Sequence, residues 1–181
     1  MDQTTYTYKD GLESPRLYTR FLTMEDVPQW AEFFMDPKAI EFLGSHIKET
    51  YEESARIWID RQLQRYKTGL YGHQALIDKQ TGEFVGMTGV ITQDVDGREQ
   101  LEVGYHILSK YWGKGYAPEA ARMFINYAFD ELRRDSIISV IVAGNTKSER
   151  VAEKNGLWRD KQTEWKGYNV NIFRMNKDRW R

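Results

Sequence analysis

An apolar strand, a loop with two glycines and an amphipathic helix follow one another without a break over residues 99–121. This stretch constrains the fold most, because the strand and the helix must lie on either side of a tight loop. Gly113 and Gly115 let the backbone come close to a ligand, since no Cβ is in the way. The helix begins near Tyr116, and the free N–H groups and dipole of a helix N-terminus favour an anion. From these residues alone, a phosphate site and an ordinary tight turn are equally good interpretations.

Apolar periodicity predicts an α+β fold in a single domain of residues 1–181, with residues 1–14 as a loosely ordered lead-in. The predicted order is β-α-α-α-β-β-β-α-β-α-β-β, which builds a mixed, mostly antiparallel central sheet flanked by helices. The continuously apolar residues 137–142 are typical of a central strand buried on both faces. An antiparallel meander is predicted from three runs separated by turn residues, namely 71–77, 83–92 and 101–108.

The composition excludes several kinds of chemistry. The chain has no cysteine, so disulfides, thiolate nucleophiles and cysteine-based metal sites are excluded. It has three histidines and no clustered carboxylate spacing, which argues against a metal site. We expect two of those histidines, His46 and His73, on the surface or in loops.

Charge and hydropathy narrow the expected partners and location. With 26 basic and 27 acidic side chains, the net charge of −1 gives no reason to expect nucleic acid or a membrane as a partner. No apolar run approaches the ~18 residues of a membrane span, and no apolar signal-peptide core follows Met1. We therefore expect a cytoplasmic protein. Aromatic residues make up 14% of the chain, which would suit a homodimer interface.

Two separated motifs resemble the GCN5-related N-acetyltransferase (GNAT) superfamily, and most closely its branch of ribosomal-protein N-terminal acetyltransferases. The first motif runs through residues 102–108 (EVGYHIL) and 111–120 (YWGKGYAPEA), and the second is residues 145–157 (NTKSERVAEKNGL). The resemblance extends over roughly residues 14–176. It implies the GNAT fold and transfer of acetyl from acetyl-CoA to a primary amine, either a protein N-terminus or a small-molecule amine.

The resemblance also implies where acetyl-CoA would bind. Its pantetheine would pair with the backbone at Ile107 and Leu108 like an added strand, and Asn145 would hold its amide groups. A turn or a helix cap is the alternative role for Asn145. The family loop usually begins with Gln or Arg, whereas this chain has Trp112 there. The pyrophosphate would lie on the backbone N–H groups of Gly113, Lys114, Gly115, Tyr116 and Ala117. The Lys114 side chain would either add charge or be solvated.

Acetyl transfer needs a group that takes the amine proton and a group that protonates the leaving thiolate. Glu102 is the candidate base, because a carboxylate on a central strand either faces a cleft or is expensively buried. An exposed or structurally paired glutamate is the alternative. His106 shares the Glu102 face of an alternating strand and would join a proton relay or be a structural histidine. The resemblance implies Ser148 as the acid.

The acceptor side should come from the N-terminal helices and the last hairpin. Large rings at helical spacing are more often core residues, but four would be placed to line this side: Trp58, Tyr66, Trp158 and Trp165. Two other classes stay open. One is a non-catalytic acyl-CoA-binding regulatory protein on the same fold, and the other is a phosphate-binding module unrelated to CoA.

Overall fold

A computed structural model describes residues 7–43, 48 and 50–180, so His46 and residues 1–6 lie outside the described residues. The elements follow the predicted order. The strands are β1 (Leu17–Arg20), β2 (His73–Asp78), β3 (Phe84–Val95), β4 (Arg98–Ile107), β5 (Ser136–Val142), β6 (Trp158–Trp165) and β7 (Tyr168–Asn176). The helices are α1 (Val27–Met35), α2 (Pro37–Ile40), α3 (Tyr51–Lys67), α4 (Tyr116–Asp130) and α5 (Thr146–Lys154).

All seven strands join one mixed sheet in the order β1-β2-β3-β4-β5-β7-β6. Neighbouring strands are antiparallel except β4 and β5, which are parallel. The predicted α+β fold with a mostly antiparallel sheet is therefore confirmed. Among the described residues, β4 and β5 pair at a single position, Glu102 opposite Ile138. Residues 103–107 of β4 and 139–142 of β5, which follow this pair, have no strand partner in each other, and this leaves a gap in the sheet at their carboxyl ends.

Helices cover both faces of the sheet near that gap. Helix α4 packs against β3 and β4 on one face. On the other face, α1 buries four apolar residues at helical spacing: Val27, Trp30, Phe33 and Phe34. Helix α3 packs against α1, and the ring of its Trp58 lies 5.8 Å from the ring of Trp30. The sheet is thus the middle of three layers.

A second, smaller apolar cluster lies beside the gap. Val95, Ile138, Val170 and Ile172 are its buried members. Half-buried Val140, Val142 and Trp165 pack against them. Ile138 and Val140 alternate with residues of β5 that join the main core, so this cluster lies on the other face of β5.

Residues 7–14, expected as a loosely ordered lead-in, are instead fixed to the sheet. The Tyr8 hydroxyl donates to the Gly72 carbonyl, and the Tyr8 side chain is 9% exposed. The Thr19 N–H donates to the Leu12 carbonyl at 2.9 Å. This segment therefore extends the edge of the sheet beside β1.

Candidate functional site

Alternate residues of β4 point their backbone N–H and C=O groups toward the gap. The Leu108 N–H donates to the Val85 carbonyl, and the Gly104 carbonyl accepts from Thr88 Oγ1, both toward β3 at 3.0 Å. Because hydrogen-bonding directions alternate along a strand, the groups of Tyr105 and Ile107 point the other way, toward the gap. The Ile107 carbonyl accepts from Trp112 Nε1 at 2.8 Å. The gap is therefore edged by the N–H and C=O of Tyr105 and the N–H of Ile107.

The glycine loop below the gap has the left-handed backbone that glycine favours. Gly113 has φ +80° and Gly115 has φ +77°. Arg16 holds this loop from outside, since its Nη1 donates to the Lys114 carbonyl at 2.8 Å. Helix α4 begins at Tyr116, and its first-turn N–H groups have no carbonyl within the helix to bind. The loop and helix start therefore offer backbone donors for an anion.

Tyr116 and the neighbouring lysines differ in what their side chains do. The Tyr116 hydroxyl donates to Asp78 Oδ2, which fixes the start of α4 against the end of β2. Only the Tyr116 backbone is therefore available to a ligand. Lys114 Nζ lies 5.1 Å from the Tyr111 ring centroid, and Lys147 Nζ lies 4.1 Å from the Trp112 ring centroid. Both ammonium groups lie beside the loop.

Glu102 is half-buried on the face of β4 that α1 and α3 cover. Its Oε2 accepts a hydrogen bond from Gln93 Nε2 at 2.9 Å. Burial raises the pKa of Glu102 to about 7, although the hydrogen bonds from Gln93 and the Val140 N–H and the charge of Lys166 act to lower it. A carboxylate with such a pKa can take up and release a proton near neutrality.

His73 lies on the Glu102 face as well, so the expectation that it is a surface or loop residue is wrong. It is 6% exposed on β2, and a Cβ at Gly104 would lie only 2.6 Å from its Nε2. The missing side chain at Gly104 thus leaves the space that this imidazole fills. Burial, with the nearby charges of His106 and Arg65, holds the pKa of His73 well below its usual value.

His106 belongs to an aromatic cluster at this face. Its ring centroid lies 5.2 Å from that of His73, 5.2 Å from that of Trp58 and 5.7 Å from that of Phe33. Beta alternation predicted that His106 and Glu102 share a face, and these contacts agree. The cluster forms one wall beside Glu102.

A pair of hydroxyl groups lies beside the gap on the face of the sheet opposite Glu102. The Tyr105 hydroxyl donates to the Ser148 carbonyl at 3.0 Å and lies 3.1 Å from Ser148 Oγ. Burial raises the pKa of Tyr105 to about 12, so the phenol keeps its proton near neutrality. The Ser148 N–H donates to Asn145 Oδ1 at 3.3 Å, which makes Asn145 the N-cap of α5. Asn145 therefore has at least the helix-cap role that was its alternative.

The remaining predicted acceptor-side rings are divided between several places. Trp58 contacts His106, and Trp165 packs against the second apolar cluster. The Tyr66 hydroxyl instead donates to the His73 carbonyl and its ring stacks on Phe21, while Trp158 lies 4.7 Å from the Arg179 guanidinium. Of these four rings, only Trp58 and Trp165 thus pack against the His106 cluster or the second apolar cluster, which lie beside Glu102.

Sequence reasoning missed three side chains at this site: Gln93, Tyr105 and Lys166. Alternation along β4 could have placed Tyr105 on the face opposite Glu102. The contacts of Gln93 and Lys166 depend on strand register and on the position of a distant turn, neither of which residue spacing reveals.

No group of three or more potential metal ligands occurs among the residues that the structure describes. Within the same residues, no helix is both long and apolar enough to cross a membrane.

A comparison with known protein families identifies the class of protein that carries this site of two parallel strands, a glycine loop and a helix N-terminus. The family model described as "Acetyltransferase (GNAT) domain" matches residues 16–157. The chain belongs to this GNAT family and is an acetyl-CoA-dependent acetyltransferase.

The chain is also similar to individual proteins. The chain is 37% identical over 143 residues to the uncharacterized protein YkkB of Bacillus subtilis (strain 168), covering 76% of this chain and 80% of YkkB. It is 26% identical over 178 residues to the uncharacterized N-acetyltransferase p20 of Bacillus licheniformis, covering 91% and 93%. Its fold is similar to that of the ribosomal-protein-S5-alanine acetyltransferase of Vibrio fischeri, with TM-score 0.71, 17% identity and coverage of 96% and 100%.

Proposed function

We propose that this protein moves acetyl from acetyl-CoA to a primary amine, on a protein N-terminus or a small molecule, by direct attack of the amine. Glu102 acts as the general base, and Ser148, paired with Tyr105, acts as the general acid. One observation carries the proposal: Glu102 and the Ser148–Tyr105 pair lie on opposite faces of the sheet beside the gap between β4 and β5.

The residues around the gap fit acetyl-CoA. Tyr105 and Ile107 offer gap-facing backbone groups to the pantetheine amides, whereas the Leu108 N–H already binds Val85. This moves the expected pairing from Ile107 and Leu108 to Tyr105 and Ile107. The backbone N–H groups from Gly113 to Ala117 would hold the pyrophosphate. When bound, acetyl-CoA supplies a thioester carbonyl for the amine to attack.

Glu102 is suited to take the amine proton. Its pKa of about 7 leaves a large fraction ionised at neutral pH while keeping it basic enough to accept a proton. With the Tyr105 carbonyl and the Ile107 N–H paired to the pantetheine, the Tyr105 N–H would donate to the charge that develops on the carbonyl oxygen. No covalent nucleophile is needed, which agrees with a chain that has no cysteine.

Ser148 and Tyr105 would supply the proton to the leaving thiolate. A phenol with a pKa of about 12 is protonated at neutral pH and within hydrogen-bond distance of the serine hydroxyl. As the serine gives its proton to the thiolate, the tyrosine can pass its own proton from the Ser148 carbonyl to Ser148 Oγ, so that the negative charge ends on the phenolate. Their position on the face opposite Glu102 separates the acid from the base.

The amine would enter between two walls. One wall is the cluster of His106, Phe33 and Trp58, and the other is formed by Val140 and Trp165. The similarity to a ribosomal-protein acetyltransferase supports a protein N-terminus as one acceptor class. A homodimer stays a prediction.

A thiol-release assay tests the proposed function. The protein is incubated with acetyl-CoA and a panel of small amines and N-terminal peptides, and free CoA is measured. We expect release that requires a neutral primary amine and that mass spectrometry matches with an acetylated product. Silence across the panel from a protein that still binds CoA would favour the regulatory alternative.

If CoA binds at the glycine loop, it should raise the melting temperature of the protein, and a substitution in that loop should reduce this rise. At 100 times its Kd, CoA should stabilise the protein by about 2.7 kcal/mol. Gly113→Ala should lose most of this stabilisation, because a Cβ would stand where the pyrophosphate approaches the backbone. Differential scanning fluorimetry measures the melting temperature with and without CoA.

Gly82→Ala is the control for Gly113→Ala. Gly82 has φ +73° and, like Gly113, no heavy atom within 4 Å of a built Cβ, but it lies in the turn between β2 and β3. Both variants should lose about 1–2 kcal/mol of stability from the left-handed backbone alone. Equal CoA shifts in the two variants would place the pyrophosphate elsewhere.

A further inference from the structure

A chain of hydrogen bonds leads from the last hairpin to Glu102. Lys166 Nζ donates to Gln93 Oε1 at 3.4 Å, and Gln93 Nε2 donates to Glu102 Oε2 at 2.9 Å. The partners fix the orientation of the Gln93 amide, because the reverse orientation would set its NH₂ against the ammonium and its oxygen against the carboxylate. Gln93 therefore bridges a positive and a negative charge through one amide.

The sheet register positions Gln93 for this contact. Ile91 lies opposite Glu102, and Gln93 lies two residues further along β3. Residues two apart on a strand share a face, so Gln93 is a diagonal neighbour of Glu102 on the same side of the sheet.

The turn between β6 and β7 brings Lys166 to the same place. Trp165 Nε1 donates to the Asp94 carbonyl at 2.8 Å, and Thr163 Oγ1 donates to Asp96 Oδ1 at 2.8 Å. These bonds hold the last hairpin to the hairpin of β3 and β4. Lys166 Nζ also lies 4.1 Å from the Trp165 ring centroid, which limits where its ammonium can go.

We propose that Gln93 is a positioning residue for acetyl transfer, because its amide holds the Glu102 carboxylate in one orientation and links it to the ammonium of Lys166. This inference rests on the proposed function, since it matters for catalysis only if Glu102 is the base. A buried carboxylate without such a donor would hold its proton at neutral pH. Gln93 and Lys166 thus keep a large fraction of the base ionised at neutral pH despite its burial.

The other charged and titratable groups around Glu102 do not replace this donor. His106 and Tyr105 come from its own strand, and His73 comes from β2, where its pKa is low and the imidazole is neutral. Arg65 of α3 acts on His73. Beyond these groups, α1 and α3 supply aromatic rings to this face.

Gln93→Leu tests the inference by two independent readouts. It keeps the approximate size of the side chain and removes both hydrogen bonds. We expect kcat at pH 7 to fall about 5- to 50-fold, the acidic limb of the kcat profile to move up by about one to two pH units, and the KM for acetyl-CoA to stay unchanged. Carbon-13 NMR of the labelled Glu102 carboxyl, assigned with Glu102→Gln, should show the same rise without any turnover.

Two further variants complete the test. Lys166→Met, at the surface, should move the acidic limb of the kcat profile upward by less than Gln93→Leu does. The acidic limb of the wild-type protein should depend on salt concentration, and this dependence should be absent in Lys166→Met. Gln100→Leu is the control, because the neighbouring Gln100 binds Arg174 instead of Glu102 and its loss should leave the profile unchanged.

The outcomes separate this inference from the proposed function. A Gln93→Leu protein with the wild-type limb and the wild-type NMR titration would overturn the inference and leave the proposed function standing. A lowered kcat with an unmoved limb would also overturn it, because it would indicate a structural role. Wild-type turnover by Glu102→Gln would instead refute Glu102 as the base.

Discussion

Replacing Glu102 by glutamine should lower kcat/KM at pH 7 by about 10²–10⁴-fold, the usual contribution of a positioned general base. Glutamine keeps the shape of the side chain but cannot accept the proton of the amine. In the wild-type protein, kcat should rise with pH through about 7 as Glu102 ionises. In Glu102→Gln that rise should disappear, and a stopped or continuous thiol-release assay from pH 5 to pH 9 measures both effects.

The folding of this variant provides its own check. Folding raises the pKa of Glu102, so the folded state holds this proton more tightly than the unfolded chain does. The bound proton stabilises the fold fully below the pKa of Glu102 in the unfolded chain, and this stabilisation is lost as the pH rises through about 7. The glutamine variant should therefore be at least as stable as the wild type at pH 8. Glu99→Gln, at an exposed position of the same strand, should change neither rate nor stability. Full activity in Glu102→Gln would show that another group takes the proton.

Trp30→Ala should lower the free energy of unfolding by about 3–5 kcal/mol, the cost of emptying a large buried aromatic site. Trp30 is fully buried in α1, and its ring stacks on Phe33 at 4.4 Å and contacts His106 at 6.3 Å. Since domains of this kind have only about 5–15 kcal/mol of stability, the loss would take a large part of it. It would also loosen the aromatic wall beside Glu102.

Urea unfolding followed by circular dichroism measures this loss, with the m-value unchanged if both states keep their exposed surfaces. Met35→Ala is the matched control, because Met35 ends the same helix and is 59% exposed. It should change stability by no more than about 0.5 kcal/mol. A loss below about 1 kcal/mol in Trp30→Ala would contradict the position of α1 against the sheet.

The sequence was sufficient to predict the secondary-structure elements and the position of the glycine loop. Alternation and helical spacing reflect burial on one side of a strand or helix, so they predict where each element lies. The tight loop at Gly113 and Gly115 could be predicted because a left-handed backbone favours glycine. Glu102 could be singled out as a candidate because burying a carboxylate in an apolar strand is costly unless the group faces a cleft or has a partner.

Long-range pairing explains what the sequence could not reveal. That β7 lies between β5 and β6, and that β4 and β5 stop pairing after Glu102, depends on contacts between distant segments. The register of β3 and β4 decides that Tyr105 faces the gap and Leu108 does not. His73 could not be assigned to the interior, because its space exists only where the bare backbone of Gly104 lies beside it.

Amide hydrogen exchange read by NMR, with and without CoA, tests the central claim most directly. The claim is that the co-substrate lies in the gap between β4 and β5, against the glycine loop. CoA should slow exchange at Tyr105 and Ile107 and from Gly113 to Ala117, while Leu108, already bonded to Val85, should change little. Protection instead around the polar cavity of about 700 Å³ beside Arg98 and Lys161, with none at Tyr105 or Gly113, would contradict it.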